Sequence, residues 1–169
     1  MFQIVTDSCC DIPYQLLEAH KIAFIPMIVE IDGQEYYDDL GKTFDYEKFL
    51  QNLRDKQQPS TSQINVGRYI EFFKPYCEKK EPILYLCFTS GMSGSYNSAL
   101  QAVSILKEDY PEAEITVVDT LNASIGEGVL VLGAAKQQAA GNDLAQVQQW
   151  VEDHKLKVQS WVTVDDLSH

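Results

Sequence analysis

Positive charge is scarce in this sequence: 13 lysines and arginines stand against 25 aspartates and glutamates, a formal charge of −12 over 169 residues. A nucleic-acid backbone would be repelled, so nucleic acid is excluded as a partner, and docking on an anionic membrane surface is disfavoured for the same reason. Long apolar runs are missing as well, and no stretch is long and apolar enough to span a bilayer. The chain enters Phe2-Gln3-Ile4-Val5-Thr6 without a basic or long apolar leader. No signal peptide is therefore expected, and a cytoplasmic location is. Cysteine is limited to Cys9, Cys10, Cys77 and Cys87, with neither a C-x-x-C pair nor metal spacing, so reduced thiols and no metal site are expected. Histidine is limited to His20, His154 and His169. Internal repeats and low-complexity linkers are lacking. With 45% hydrophobic residues, the length suits one well-packed domain and is short for two.

Strand-like and helix-like segments alternate along the chain. A strand at 2–6 leads through Asp7-Ser8-Cys9-Cys10-Asp11 to a short helix opening at Pro13, with Asp11 as cap and Leu16 and Leu17 inward. An apolar run from Ile22 to Ile31 is broken by Pro26, and Asp32-Gly33 reads as a hairpin turn. Its acids, Glu30, Asp32, Glu35, Asp38 and Asp39, read as a solvated face. A helix at 45–54 carries Tyr46, Phe49, Leu50 and Leu53 at i, i+3, i+4 and i+7. The polar segment 57–63 has no periodicity. A helix after Asn65 turns Val66, Tyr69, Ile70, Phe73 and Cys77 inward, and 83–88 is a buried strand. The helix at 94–109 has Tyr96, Ala99, Leu100, Val103 and Leu106 on one face. A strand at 115–118 precedes a helix to about Ala140 that is apolar nearly all round, hence buried on more than one side. Asn142 is expected to cap a last helix with Leu144, Val147, Trp150 and Val151 inward, and 158–164 is strand-like. The alternation implies an α/β fold, a three-layer parallel sheet of Rossmann-like kind with helices on both faces and ligands at the carboxyl ends of the strands. Thr6-Asp7-Ser8, Thr89-Ser90 and Asp119-Thr120 would line one cleft there.

Ser90-Gly91-Met92-Ser93-Gly94-Ser95-Tyr96 sits between a strand and a helix. Such a turn offers free backbone N–H groups and the positive end of the helix dipole to an anion. It contains no Lys or Arg, which suits a single carboxylate better than a triphosphate and excludes a P-loop. Gly91-Met92-Ser93-Gly94-Ser95 also departs from the G-x-S-x-G nucleophile elbow at Ser95. Ser93, Asp119 and His154 nonetheless occur in an order that a serine hydrolase or acyltransferase could use, which is the alternative reading. Gly126-Glu127-Gly128 hints at a dinucleotide fingerprint, but Val131 occupies its third glycine position, and the glycines read better as permitting close helix–sheet packing. Asp7 and Asp119 are read as caps of the turns that follow them.

Together these motifs resemble the DegV family: Ile4-Val5-Thr6-Asp7-Ser8 with Asp11-Ile12-Pro13, then Pro59-Ser60-Thr61-Ser62-Gln63, the Ser90–Tyr96 turn, and Val118-Asp119-Thr120 with Ala123-Ser124. Cys9-Cys10 stand where Thr-Ala is common in that family. The resemblance implies a carrier, not an enzyme, that holds a long-chain fatty acid and presents its carboxylate to a separate fatty acid kinase. The acyl-phosphate so formed feeds phospholipid synthesis. By the same resemblance, Thr61, Ser93 and the Gly94 N–H bind the carboxylate without a cofactor, and the helix at 126–140 would wall the tail pocket. Family members continue through a V-D-D-L-x-x-L-x-x-G-G-R segment into a second domain. This sequence stops within it, at Val164-Asp165-Asp166-Leu167-Ser168-His169. Residues 1–157 are thus expected to form the N-terminal domain and 158–169 the start of a second domain that is absent here. Its absence would leave apolar surface exposed or used in a homodimer of the fragment.

Overall fold

Side-chain alternation along the strands decides the layers. In the strand Ile83–Cys87 every residue is buried, which requires cover on both faces. Leu84 and Leu86 belong to one apolar cluster, while Ile83, Tyr85 and Cys87 belong to another. The computed structural model, which describes residues 2–161 and 163, shows what covers each face. The strands are β1 (Gln3–Asp7), β2 (Ala23–Ile25), β3 (Met27–Ile31), β4 (Gln34–Asp38), β5 (Ser60–Ser62), β6 (Ile83–Cys87) and β7 (Ile115–Asp119). The helices are α1 (Tyr14–Ala19), α2 (Tyr46–Arg54), α3 (Val66–Lys79), α4 (Ser95–Asp109), α5 (Ile125–Ala139) and α6 (Leu144–His154).

Four strands form the expected parallel sheet, in the order β2-β1-β6-β7. Leu17 of α1, Val131, Ala134 and Ala135 of α5, and Val147 and Val151 of α6 pack on one face. Tyr69, Phe73 and Cys77 of α3 with Ala99, Ala102, Val103 and Leu106 of α4 cover the other. The three-layer reading therefore holds. The order places the reversal of strand direction of travel between β1 and β6, where such sheets open a crevice at their carboxyl ends.

A second sheet, antiparallel and ordered β4-β3-β5, stands beside the first. Pro26 divides the apolar run 22–31 between the two sheets: β2 joins the parallel one and β3 leaves it. Asp32 and Gly33, both at positive φ, make the two-residue turn between β3 and β4. The polar segment at 57–63 is in part a strand, since Ser60, Thr61 and Ser62 pair with Glu30, Val29 and Ile28.

Several local expectations are corrected. Asp11 lies in the left-handed region after the turn at Ser8–Cys10 and does not cap α1, whose first turn follows Pro13 without a side-chain cap; Leu16 points outward. The buried stripe of α4 runs through Ser95, Ser98, Ala99, Ala102, Val103 and Leu106, leaving Leu100 exposed. Small residues there let α4 approach the sheet and α3 closely. α2 is periodic but buries no residue. Asp143, not Asn142, caps α6, through a reciprocal bond with Gln146. α5 is covered by the sheet and by α6, with Gly133 lying under the Trp150 ring, but Ile125 and Val129 are exposed on its open side. Val158–Trp161 form no strand; Val162 and Val164 of that expected segment, and the tail 165–169, lie outside the described residues.

Gly128 permits close packing, though against the segment that follows β1 and not against the sheet itself. A Cβ on Gly128 would lie 2.7 Å from the Cys10 carbonyl oxygen and 2.9 Å from the Ile12 side chain. Gly128→Ala is therefore expected to cost about 1–3 kcal/mol, read as a lower urea midpoint at an unchanged slope. A midpoint equal to that of the unsubstituted protein would show that α5 can slide away from the backbone of Cys10.

Candidate functional site

Three strand ends are stitched together at the carboxyl edge of the parallel sheet. Asp7 closes β1 as the cap of the turn at Ser8–Cys10, its Oδ1 accepting from the Cys9 N–H at 3.1 Å. Its Oδ2 accepts from the Phe88 N–H and the Tyr85 hydroxyl, each at 2.9 Å, which ties β1 to β6. Asp119 caps the end of β7, accepting from the N–H groups of Leu121 at 3.0 Å and Ser90 at 3.1 Å. Thr120 donates its hydroxyl to the Cys87 carbonyl at 2.8 Å. Both aspartates cap the turns after them, and both also hold the edge of the neighbouring strand.

The turn after β6 is ordered by its own hydroxyls. The N–H groups of Met92 and Ser93 donate to the Thr89 carbonyl, and Ser93 Oγ accepts from the Ser95 N–H at 3.1 Å. Ser95 Oγ, 2.9 Å from Ser93 Oγ, accepts from the Ile64 N–H at 3.1 Å and so pins the segment after β5 to the start of α4. A Cβ on Gly94 would strike the Gln63 carboxamide, so glycine lets that segment close over the turn. Among the described residues the Gly94 N–H has no protein acceptor. A cavity of about 540 Å³ opens here, with Thr61 on one wall and Ser93 and Gly94 on another. All three residues singled out by sequence thus share one cavity. Its volume falls in the range of small-molecule sites.

The sequence did not single out the rest of the lining. Met27 and Val29 of β3, with Phe88 and Met92, make the apolar part. The alternation of β3 was a usable signal, since Met27 and Val29 share a face and Val29 is the partner of Thr61. Cys9, Asp11, Asp38, Ser62 and Gln63 complete the wall. Asp38 is engaged by the Tyr46 hydroxyl at 2.7 Å and the Leu40 N–H, and Asp39 accepts from Thr43 and Phe44. These two acids organise the loop before α2 and are more than a solvated face. No residue of α5 lines this cavity, contrary to expectation. A larger cavity, about 760 Å³, lies at the opposite edge between Phe2, His20, Pro82 and Leu144, and holds none of the predicted site residues.

The hydrolase constellation does not come together. Ser93 is engaged by Ser95, Asp119 by two backbone N–H groups, and His154 Nδ1 by the Trp150 carbonyl at 2.6 Å, its ring stacked on that of Trp150. His154 is therefore half-buried rather than solvated, and His169 lies outside the described residues. The four cysteines are free. Burial, with Glu127 and Asp7 nearby, pushes the Cys10 thiol up to about 12, away from thiolate chemistry.

Two buried carboxyls lie under the site. Burial pushes Asp7 above the usual range, against the pull of its three donors, from Phe88, Tyr85 and Cys9. Glu127, in the first turn of α5, accepts from Thr6 Oγ1 at 2.8 Å through Oε1, while its Oε2 has no partner. Burial, then the neighbouring Asp7, drives Glu127 well above the carboxylate range. A raised folded pKa contributes stability that is present below the unfolded value and lost as pH rises through the folded one. Glutamine mimics the neutral acid, so Glu127→Gln is expected to match the unsubstituted protein in mild acid and to exceed it increasingly as pH rises. Urea denaturation at several pH values reads this, and parallel curves for the two proteins would contradict it.

The family model described as "uncharacterised protein, DegV family" matches residues 1–169. The chain belongs to the DegV family. A DegV domain-containing protein of Clostridium perfringens is 40% identical over 99% of this chain and 58% of its own length. Among solved structures, a stearic acid-binding protein from Eubacterium ventriosum is similar at a TM-score of 0.83 with 32% identity, over 90% of this chain and 52% of that one. A DegV family protein from Thermus thermophilus, described by its fatty acid binding, gives a TM-score of 0.79 with 27% identity, over 92% and 53%. This DegV chain thus spans little more than half the length of the relatives it matches. Among its described residues, no helix is long and apolar enough to cross a membrane.

Proposed function

We propose that this chain is the N-terminal part of a fatty-acid carrier, a binding protein without catalysis of its own. The observation that carries the reading is the meeting of Thr61, Ser93 and Gly94 in one cavity whose neighbouring wall is apolar. The two hydroxyls and the Gly94 N–H would hold a carboxylate through charge-assisted hydrogen bonds, and Met27, Val29, Phe88 and Met92 would receive the start of the tail. The relatives that bind stearic acid and fatty acid support this choice of ligand.

Among the described residues the cavity has no Lys or Arg on its wall and has Asp11 and Asp38 there. An anion is therefore confined to the hydroxyl-bearing corner, and further neutralisation has to come from outside the described residues. We assign that role to a second domain, begun at residues 158–169, seated over the exposed Met92, Leu121 and Ile125. The bound carboxylate, held at the open edge of the sheet, would be presented to a fatty acid kinase. In the isolated chain, the same apolar surface would be available to a second copy.

Mass spectrometry of lipids extracted from the complete protein tests the reading. Recovery of a long-chain fatty acid is the expected result. Recovery of none, with no binding of added fatty acid, would overturn it. The hydrolase alternative would require labelling of Ser93 by a fluorophosphonate probe, lost in Ser93→Ala.

A further inference from the structure

The chain leaves α6 along the sheet edge that carries the Ser93 turn, and one amide side chain holds it there. Asn122 is buried in the turn between β7 and α5. Its Nδ2 donates to two carbonyls at 2.8 Å, that of Thr120 in its own turn and that of Lys155 just after α6. Its Oδ1 accepts from Ser160 Oγ at 3.4 Å. Lys155 adds a second tie: its ammonium, paired with Glu152 at 2.6 Å, donates to the Asp119 carbonyl at 3.2 Å. The segment then crosses the first turn of α5. A Cβ on Gly126 would strike Ser160 Oγ and lie 3.4 Å from Val158 Cγ1, so glycine makes room for the crossing.

The residue type follows from these partners. Two carbonyls from separate segments need two N–H donors on one nitrogen, which a primary amide has and a carboxylate or hydroxyl lacks. The backbone beside Asn122 is constrained as well. Leu121 and Ser124 take φ of 54° and 53°, a costly conformation for such residues that persists where the surrounding structure imposes it. The same turn also holds the start of the anion-binding turn. The Asn122 carbonyl accepts from the Thr89 N–H at 3.1 Å, and Asp119 Oδ1 accepts from the Ser90 N–H at 3.1 Å. The Thr89 carbonyl in its turn accepts from the Ser93 N–H. Asn122 thus holds Thr89 through its backbone and the departing chain through its side chain.

We propose that Asn122 is a positioning residue of the carrier: it fixes the exit of the chain toward the second domain on the turn that also fixes Thr89 and Ser90, and so seats that domain over the bound carboxylate. The inference rests on the carrier reading with its second domain, and adds the residue that sets where that domain sits. Its physical effect is on the tether. With the clasp in place, the tether is held to the sheet edge as far as Ser160; without it, only as far as the end of α6 at His154. Ser160 lies against Asn122 and Gly126, whose chain neighbours Leu121 and Ile125 are exposed. A shorter tether that starts beside those residues keeps the second domain at a higher effective concentration over the site. Fatty acid leaves while that domain is lifted, so the clasp slows release.

The test uses the complete protein loaded with a fluorescent long-chain fatty acid. Asn122→Ala removes both amide donors and keeps the backbone bond to Thr89. Lys155→Met removes only the ammonium, with its ties to Asp119 and Glu152, and decides the matter alone if Asn122→Ala does not fold. On displacement by excess unlabelled fatty acid, release is expected to be roughly tenfold faster in Asn122→Ala and roughly threefold faster in Lys155→Met. Trypsin supplies a reading that a merely structural role would not give. Cleavage after Lys157, in the clasped segment, should quicken in both variants, while cleavage after Lys107, within α4, stays unchanged. Release within twofold of the unsubstituted protein in both variants would overturn the inference. Cleavage at Lys107 rising in step with that at Lys157 would overturn it too, as the mark of general loosening. Failure of the unsubstituted protein to take up fatty acid at all would remove the carrier reading itself; binding with unaltered release in the variants removes only the role of Asn122.

Discussion

Ser93→Ala is expected to weaken long-chain fatty-acid binding by the complete protein roughly 10- to 100-fold. A hydrogen bond to a charged group is worth about 1.5–3 kcal/mol, and about 1.4 kcal/mol is a factor of ten. Binding should be weakened but not abolished, because a tail of roughly sixteen carbons contributes ~0.8 kcal/mol per buried carbon. The head group thus decides which end of the ligand sits at the sheet edge, and the tail supplies most of the affinity. Ser93 Oγ also accepts from the Ser95 N–H, so its loss removes one hydrogen bond at the start of α4, at a cost of about 0.5–1.5 kcal/mol. Thr61→Val separates the two effects. Thr61 is exposed on β5, and among the described residues its hydroxyl has no side-chain hydrogen bond; its backbone pairs with Val29. It should lose affinity with little change in thermal midpoint. Fluorescent fatty-acid displacement measures both variants, and affinities within twofold of the unsubstituted protein would remove Thr61 and Ser93 from the site.

The second large effect concerns stability. Phe73 is fully buried, its ring 5.6 Å from that of Tyr69 and 5.7 Å from that of Tyr85. Phe73→Ala removes the wall against which both buried tyrosines are held. The cost should be about 3–5 kcal/mol, a fall in the thermal midpoint on the order of 10 °C for a domain of this size. A fall of a degree or two would mean that the tyrosines and α3 collapse into the space.

The position of α3 could be read directly, because its signals are local. Asn65 caps it by accepting from the Arg68 N–H, and Tyr69, Phe73 and Cys77 recur at a helical spacing on the buried face. The same periodicity misleads in α2, where Tyr46, Leu50 and Leu53 remain exposed. An apolar stripe specifies that a helix has a face, but whether that face is covered depends on what the rest of the chain brings to it. In α4 the choice of face was wrong at Leu100, because the buried face includes the small polar Ser95 and Ser98 instead. Periodicity weighs bulk and hydrophobicity, whereas a helix packs nearest where its side chains are shortest.

The turn at Ser90–Tyr96 shows the same division. Its sequence by itself determined an uncharged, hydroxyl-bearing helix start after a buried strand, since glycine, serine and the missing lysine act through the local backbone. It also determined the alternation of strands and helices that sets three strand ends on one edge. Only the tertiary structure decided that Thr61 lies across from Ser93. β5 is a strand because β3 offers it backbone partners, and a segment of three polar residues carries no pattern of its own. Only the tertiary structure, too, joined Tyr69, Tyr85 and Asp7 beneath the turn. Those residues come from three separate elements, and hydrogen bonds between them form only where packing brings their oxygens within about 3 Å.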